Sequence, residues 1–469
     1  MPESVEIAPV GSERLREVLH EEQLRAYEQG AEEARALLHE RTVWNVNSTA
    51  RGGGVVELLR PLVGYARGLG VDCRWVVIDG HPQFFDVTKR LHNRLHGAEG
   101  DGRPLDAAAR SVYEDTLRRE GETLAAWIRA GDVVILHDPQ TAGLVEPLRN
   151  AGAKVIWRCH IGLDEPNATV RDAWAFLRPY VEPADAFVFS RAAFVWEQLD
   201  AARIHLIAPS IDAFAPKNQD LDADTVRAVL LATGIVRDGD RPDGATFARQ
   251  DGSPGRVTRP TELYEDSALG PDDPVVVQVS RWDELKDPLG VIRGFAEHVP
   301  DADLVYAGPA VEAVADDPEG EKVLRSALRL REQLPEPARR RLHLACLPMD
   351  DAEENAIIVN ALQRHARVVV QKSLAEGFGL TVAEAMWKAR PVVASRIGGI
   401  QDQIADGSCG VLLDDPNDLA TYGAAVAGLL HDGARAERMG TVARERVRER
   451  FLSSRSLLDY LRVVRAVLN

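Results

Sequence analysis

The sequence predicts an α/β protein made of two doubly wound domains, each a mostly parallel sheet covered by helices. Short runs rich in Val and Ile alternate with helical stretches along most of the chain. The alternation breaks once, at a stretch poor in apolar residues, and then restarts. Near-continuous apolar strands are typical of parallel sheets that are buried on both faces. The length of 469 residues suits two large domains of this class.

The first series of elements opens with a helix and continues with strands. Residues 11–40 have the apolar spacing of a helix among Glu and Arg residues. The strands predicted after this helix are separated by helical stretches and lie at 41–49, 72–79, 132–138, 153–160 and 186–190. We therefore expect a first domain over residues 1–213.

The second series predicts a second domain over residues 214–445. Its predicted strands lie at 274–281, 302–308, 341–347, 366–373, 390–396 and 410–414, and only helices are predicted after them, over 417–469. The helix within 446–469 either crosses back to the first domain or packs on the second. Segment 237–273 is rich in Asp, Gly, Pro and Arg and lacks apolar periodicity, so we expect an exposed loop insertion there.

Composition and charge argue against several classes of function. The 73 acidic and 56 basic residues give a formal charge of −17, which argues against a nucleic-acid or anionic-membrane binder. No run of about 18 apolar residues suggests a membrane span, and the first residues do not resemble a signal peptide. The four cysteines are widely spaced and no H-E-x-x-H sequence is present, so we predict no metal site. We expect the thiols to be reduced, as in a cytoplasmic enzyme.

The segment LAEGFGLTVAEAMW, residues 374–387, is the strongest candidate for a binding site. Glu376 lies in a loop with Gly377 and Gly379, whose missing Cβ atoms allow a ligand to approach the backbone amides. A helix that begins near Thr381 would direct its positive end to the same place. This arrangement predicts an anion site at the carboxyl end of a strand.

Glu384 follows Glu376 by eight residues, so both carboxylates can reach one ligand. Carboxylates accept hydrogen bonds from two hydroxyls at once, which suits a sugar or a ribose. The alternative for Glu384 is structural, because Thr381-x-x-Glu384 also has the spacing of a capping box.

The segment VSRWDELKDP places two cations, Arg281 and Lys286, after another predicted strand. Arg offers a planar pair of donors and Lys a point charge, a combination that can bind a diphosphate. The alternative is that both are solvated surface charges paired with Asp283, Glu284 and Asp287.

The glycines of NSTARGGGVVELL lie between the first strand and its helix. Gly53 and Gly54 would let a phosphate or a sugar approach the backbone. A dinucleotide-binding loop is the competing interpretation, with Gly52 as its first glycine and Asp79 ending the second strand. That loop requires a third glycine where Glu57 stands.

Polar residues also follow two predicted strands of the first domain. Asp138 could accept a hydrogen bond from a sugar hydroxyl, and His160 could donate one. The alternative for His160 is a structural histidine with buried partners.

These motifs together resemble those of retaining glycosyltransferases with the GT-B fold, in which two Rossmann-like domains face each other across a cleft. The two glutamates with the GFGL loop resemble the family's donor motif, and the Arg and Lys of SRWDELKDP resemble its phosphate clamp. The longer runs VNSTARGGGVVELL, HDPQTAGL, IWRCHIGLDEPN and EGFGLTVAEAMWKARPVVAS are similar to trehalose synthases of the glycosyltransferring type and to retaining trehalose phosphorylases.

The resemblance implies transfer of glucose from a nucleoside-diphosphate glucose to glucose, which forms α,α-trehalose. It implies small-molecule substrates and no cofactor for the chemistry. Charge and composition predict no nucleic-acid or membrane partner, and the sequence leaves the oligomeric state open, with a homodimer as one option. A retaining phosphorylase acting on trehalose and phosphate is an alternative. A catalytically silent sensor of sugar nucleotides on the same fold is another.

The resemblance also implies a role for each candidate residue. The catalytic residues would be Arg281 and Lys286 on the diphosphate, Glu376 on the donor sugar's hydroxyls, and His160 on the donor sugar. The other donor-binding residues would be Gly53, Gly54, Gly377, Phe378, Gly379, Leu380 and Glu384, and Asp138 would bind the acceptor. The sequence departs from the family pattern at Gly162, where Asp is usual, and in the length of segment 237–273.

Overall fold

The computed structural model describes residues 1–50, 53–239, 242–310 and 318–469. These residues form two compact units. Unit 1 consists of Met1–Ser210 and Phe451–Asn469, and unit 2 consists of Ile211–Arg450. Each unit contains a seven-stranded, mainly parallel sheet within the described part of the chain. The prediction of two α/β domains with parallel sheets is confirmed.

Elements are numbered along the chain. The strands of unit 1 are β1 (Glu3–Val5), β2 (Thr42–Asn47), β3 (Asp72–Val77), β4 (Val133–His137), β5 (Lys154–Cys159), β6 (Ala186–Phe189) and β7 (Ile204–Leu206). Its α-helices are α1 (Glu21–Leu37), α2 (Gly54–Gly68), α3 (Pro82–Leu95), α4 (Ala107–Trp127), α5 (Val145–Asn150), α6 (Ala168–Val181) and α16 (Ser453–Leu468). Short 3₁₀ helices lie at Glu13–Glu17, Pro139–Leu144, Ala192–Phe194 and Ala201–Arg203.

The strands of unit 2 are β8 (Ala245–Ala248), β9 (Pro254–Val257), β10 (Glu262–Tyr264), β11 (Val275–Val279), β12 (Asp303–Pro309), β13 (Leu342–Leu347), β14 (Val368–Gln371), β15 (Val392–Ser395) and β16 (Val411–Leu413). Its α-helices are α7 (Ala223–Thr233), α8 (Pro288–His298), α9 (Pro318–Gln333), α10 (Glu336–Arg339), α11 (Ala352–His365), α12 (Leu380–Trp387), α13 (Ile400–Gln403), α14 (Leu419–His431) and α15 (Gly433–Arg450). A 3₁₀ helix spans Glu284–Lys286.

In each sheet, successive parallel strands are added first toward one edge and then toward the other. The place where this direction changes is called the reversal point. In unit 1 the order is β1-β3-β2-β4-β5-β6-β7, and in unit 2 it is β10-β13-β12-β11-β14-β15-β16. The order therefore reverses between β2 and β4 in unit 1 and between β11 and β14 in unit 2. Ligands of doubly wound sheets bind at such reversal points, beyond the carboxyl ends of the strands.

Both faces of the sheet in unit 1 are buried, which explains its continuous apolar strands. Val133 and Ile135 of β4 lie in a core shared with α1, α2 and α16. Val134 and Leu136 lie in a second core, shared with α3, α4, α5 and α6. Successive side chains of a strand point to opposite faces, so each core takes every second residue.

Helix α16 completes unit 1, although it follows α15 of unit 2 in the chain. Its apolar stripe includes Tyr460, Val463, Val464 and Val467, which are buried with Trp75 of β3. Of the two placements considered for this helix, the structure shows packing on the first unit.

Segment 237–273 differs from the exposed loop expected there. Strands β8 and β9 form an antiparallel hairpin, and β10 adds an antiparallel edge strand to the main sheet. Phe247, Val257 and Leu269 are buried. The apolar alternation covers only four residues in each hairpin strand, too few to stand out among the Asp, Gly and Arg residues around it. Edge strands β1 and β7 were also not predicted from the sequence, because each has only three residues and shows too short a pattern.

Candidate functional site

Two loops of unit 2 meet at its reversal point, because β11 and β14 are neighbouring parallel strands. Lys286 ends the 3₁₀ helix after β11, and Glu376 lies in the loop after β14. Lys286 Nζ is 2.6 Å from Glu376 Oε2, and the two side chains are only 14% and 13% exposed. A largely enclosed cation and carboxylate thus lie side by side where this sheet type binds ligands.

Arg281 lies on the same loop as Lys286 but in a different environment. Its side chain is 66% exposed, and its Nη2 donates to Asp283 Oδ2 at 2.7 Å. The structure therefore brings Lys286, and not Arg281, to Glu376. The surface-pair alternative describes the contact that Arg281 makes here.

The loop that carries Glu376 packs against a second glycine loop after β15. Gly398 has a φ of 46°, and a Cβ on it would lie 1.8 Å from the Glu376 carbonyl oxygen. Gly399 N donates to Gly377 O at 2.8 Å, and Gln403 Nε2 donates to Phe378 O at 2.5 Å. Sequence reasoning missed this support, although the paired glycines directly after a predicted strand were a usable signal.

Helix α12 begins at Leu380, and Gly379 is its N-cap with a φ of 79°. The positive φ explains the glycine, since other residues seldom adopt it. Thr381 is already the second helical residue, and its Oγ1 donates to Gln371 Oε1 at 3.0 Å. The capping-box alternative for Thr381 and Glu384 is therefore wrong, because Thr381 is not the N-cap.

Glu384 is buried beside two lysines that sequence reasoning did not select. Lys217 Nζ lies 3.7 Å from Glu384 Oε1. Lys388, one helical turn after Glu384, is buried, and its Nζ donates to Asn218 Oδ1 at 3.2 Å. Burial lowers the pKa of the Lys388 ammonium to about 7, although the Glu384 carboxylate opposes this shift. Glu384 is thus held in a closely packed and charged environment.

In unit 1 the glycine loop follows β2 at the reversal point. Gly53 is the N-cap of α2 with a φ of 83°, and a Cβ on it would meet no atom within 4 Å. Gly54 is the first residue of the helix. Gly52 lies outside the described residues. In the described part of the loop, the space beside Gly53 at the start of α2 is therefore open.

Asp138 and His160 are brought together because β4 and β5 are neighbours. Asp138 has the unusual backbone angles φ 63° and ψ 178°, and its Oδ1 accepts a hydrogen bond from His160 N at 2.7 Å. Burial raises the pKa of the Asp138 carboxyl to about 7. Strained backbone of this kind is concentrated at functional sites.

The ring of His160 faces the interior of unit 1. Its Nε2 lies 3.0 Å from Nδ1 of the buried His137, and burial lowers the pKa of His160 well below its usual value. Both rings and the buried Arg158 line a cavity of about 20 Å³. A cavity of this size has room for a single water molecule.

Gly162 has a packing explanation. A Cβ at this position would lie 2.4 Å from Phe194 Cγ and 2.7 Å from Phe194 Cβ. Phe194 is itself buried. The Asp that the family pattern would place here does not fit beside this ring.

Across the described ranges, no group of three or more His, Cys, Asp or Glu side chains is arranged to hold a metal ion. No helix in the same ranges has the length and apolarity needed to cross a membrane. The four cysteines are buried and free.

Comparison with known families gives two matches. Residues 45–196 match the family model of the N-terminal domain of trehalose synthase. Residues 353–446 match the model of glycosyl transferases group 1.

Named relatives align over most of the chain. The trehalose synthase of Rubrobacter xylanophilus is 37% identical over 90% of this chain and 89% of its own length. The trehalose synthase of Thermococcus litoralis is 34% identical over 96% of this chain and 95% of its own length. The trehalose phosphorylase of Pleurotus pulmonarius is more distant, at 26% identity over 82% of this chain and 51% of its own length.

Solved structures share the fold at low identity. A UDP-forming α,α-trehalose-phosphate synthase from Burkholderia xenovorans has a TM-score of 0.65 at 15% identity and covers 92% of this chain and 100% of its own. Anabaena HepE in complex with UDP and glucose has a TM-score of 0.57 at 13% identity and covers 89% of this chain and 97% of its own.

Proposed function

Because the chain belongs to the trehalose synthase family of glycosyltransferases, we propose that it transfers glucose from a nucleoside-diphosphate glucose to glucose, forming α,α-trehalose with retained anomeric configuration. The observation that carries this proposal is the Lys286–Glu376 pair, 2.6 Å apart at the reversal point of unit 2. A sugar nucleotide has a charged diphosphate beside a sugar rich in hydroxyls. A cation and a carboxylate side by side match those two parts.

Electrostatic stabilisation of the leaving group is the proposed source of catalysis. The bond between the anomeric carbon and the diphosphate oxygen breaks, and a bond to the acceptor's hydroxyl oxygen forms. Negative charge grows on the departing diphosphate, where Lys286 and Arg281 would bind it. The acceptor proton passes to the departing phosphate oxygen, and we assign no covalent nucleophile.

The remaining donor contacts come from the loop and helix around Glu376. Glu376 would accept hydrogen bonds from the donor sugar's hydroxyls, and Glu384 from the ribose. The backbone amides of Gly377, Phe378, Gly379 and Leu380 would contribute donors near the positive end of α12. Packing of the glycine loop after β15 against this segment supports a fixed backbone for that role.

Unit 1 would supply the remaining contacts. Gly53 and Gly54 would approach the donor phosphate, and the open space around Gly53 supports this role. Asp138 would bind a hydroxyl of the acceptor, and His160 would contact the donor sugar. The hydrogen bond from His160 N to Asp138 supports their joint placement at one strand edge.

A product assay tests the proposal. UDP-, ADP- and GDP-glucose are each supplied with glucose, and a separate reaction contains trehalose and inorganic phosphate. Trehalose formed with at least one nucleotide donor is the expected result, and the preferred donor identifies the nucleotide. Release of glucose 1-phosphate from trehalose without any nucleotide-dependent synthesis would show a phosphorylase instead. Ligand-induced thermal stabilisation without turnover in any reaction would show a sensor.

A further inference from the structure

A fully buried lysine lies directly behind the candidate donor site. Lys372 follows β14, and its side chain is 0% exposed. Its Nζ is paired with the carboxylate of Asp287, on the turn after β11. Lysines are almost never fully buried without a partner, because the charge loses its water. This pair therefore joins the loop that carries Glu376 to the turn that carries Lys286.

A buried amide forms a second link between the same two segments. Gln278, on β11, accepts a hydrogen bond from Lys372 N through Oε1 at 3.2 Å. Its Nε2 donates to the carbonyl oxygen of Lys286 at 2.9 Å. Leu374 N also donates to Leu285 O at 2.7 Å. The backbone of Lys286 is thus tied to the residues that lead to Glu376.

Asp287 has two contacts that fix the backbone next to Lys286. It lies in the left-handed region, with φ 48° and ψ 53°, and is the N-cap of α8. Its Oδ1 accepts a hydrogen bond from Gly290 N at 3.0 Å, while Oδ2 pairs with Lys372. One carboxylate therefore anchors the turn both to the following helix and to the neighbouring loop.

We propose that Lys372 is a positioning residue: its ammonium, through Asp287, and its backbone amide, through Gln278, hold the Lys286 ammonium in its place beside Glu376. This inference rests on the proposed function, in which Lys286 stabilises the leaving diphosphate. Lys372 does not touch the substrate in this scheme, because its side chain is enclosed. Misplacement of a charge stabiliser by a small distance reduces catalysis strongly, since preorganisation is its source.

A double-mutant cycle tests the proposal. Lys372→Met is combined with Asp287→Asn so that no lone charge remains buried, and Asn tolerates the left-handed backbone. We expect kcat to fall about 10–100-fold, with a smaller change in KM for the donor. When the same pair of substitutions is added to the Lys286→Ala variant, kcat should fall by no more than about threefold relative to Lys286→Ala alone. An equal loss in both backgrounds, or wild-type kcat for the pair, would overturn the proposal.

Gln278→Met provides a second route that changes no charge. It removes the amide link and should lower kcat by about 3–10-fold, again only while Lys286 is present. If the Lys372 and Asp287 variant does not fold, this variant still tests the positioning through the backbone link. Equal kcat losses from Gln278→Met with and without Lys286, or no loss at all, would overturn the link through the Lys372 backbone amide.

A matched control removes another ion pair of unit 2. Arg331 is buried and paired with Asp266 at 2.7 Å, so Arg331→Met with Asp266→Asn should lower the Tm and leave kcat unchanged. A fall in kcat there equal to that of the Lys372 variant would show a general stability effect and overturn the proposal.

If Lys286→Ala alone keeps wild-type turnover, the leaving-group role of Lys286 is wrong. If it loses turnover and the cycle is additive, only the positioning role is wrong.

Discussion

Lys286 Nζ and Glu376 Oε2 lie 2.6 Å apart, so the proposed phosphate-binding cation and the proposed sugar-binding carboxylate are direct partners. Each side chain is largely enclosed, and removal of one leaves the charge of the other poorly compensated. A substitution of either residue is therefore expected to change both the stability of the two loops and the catalytic rate. Turnover and unfolding must both be measured for such a variant.

Lys286→Ala should lower kcat about 10²–10³-fold while the fold is kept, because one stabiliser of the departing diphosphate is lost. Steady-state kinetics with the preferred donor, together with a thermal unfolding curve, checks this expectation. Near-normal turnover in a folded variant would exclude the leaving-group role.

Arg281→Ala is expected to separate the contribution of Arg281 to catalysis from that of Lys286. The Arg281 side chain is 66% exposed in its ion pair with Asp283, and ion pairs open to solvent contribute about 0–1 kcal/mol to stability. We expect an unchanged Tm and a kcat loss of about 10²-fold, since the guanidinium would bind the diphosphate. Unchanged kcat together with unchanged Tm would mean that Arg281 is only a surface charge.

Asp138→Asn should change how stability depends on pH. Burial raises the pKa of the folded Asp138 carboxyl to about 7 from the usual 3.8. The folded state therefore holds a proton that the unfolded state releases between these values, and stability falls as pH rises through this window. The amide cannot titrate and can still accept from His160 N.

Urea unfolding at about pH 5 and about pH 8 measures this difference. Relative to the wild type, Asp138→Asn should gain stability at the higher pH, of the order of 1 kcal/mol because the side chain is partly exposed. The same stability difference between the two proteins at both pH values would show that Asp138 titrates normally.

Gly162→Asp should destabilise unit 1, because its Cβ would lie 2.4 Å from Phe194 Cγ. Overpacking of this kind costs about 1–3 kcal/mol, which a lower urea midpoint would detect. Gly428→Asp is the control, since a Cβ there meets no atom within 4 Å. A midpoint for Gly162→Asp as high as that of the control would mean that the Phe194 ring moves aside.

The order of strands and helices was predictable, because buried parallel strands such as β4 have a continuous apolar run, here residues 133–136. The hairpin with Phe247 and Val257 was not, because each of its strands buries only two residues. Sequence could also indicate Lys286 and Glu376, since both are charged residues in segments that follow predicted strands.

The support behind these two residues could not be predicted. Gln278 is a single polar residue within an apolar run, and Lys372 lies in the polar end of another. Only the neighbouring arrangement of β11 and β14 makes them partners. Sequence likewise left open whether Thr381 caps its helix, because the start of α12 depends on the backbone of Gly379.

The return of α16 to unit 1 has a consequence for synthesis on the ribosome. Residues 211–450 are contiguous, so unit 2 can finish folding while the chain is still being made. Unit 1 must wait for residues 451–469, because Val463 and Val464 close the face that contains Trp75. Until these residues have left the ribosome, that face stays open to chaperones and to wrong partners.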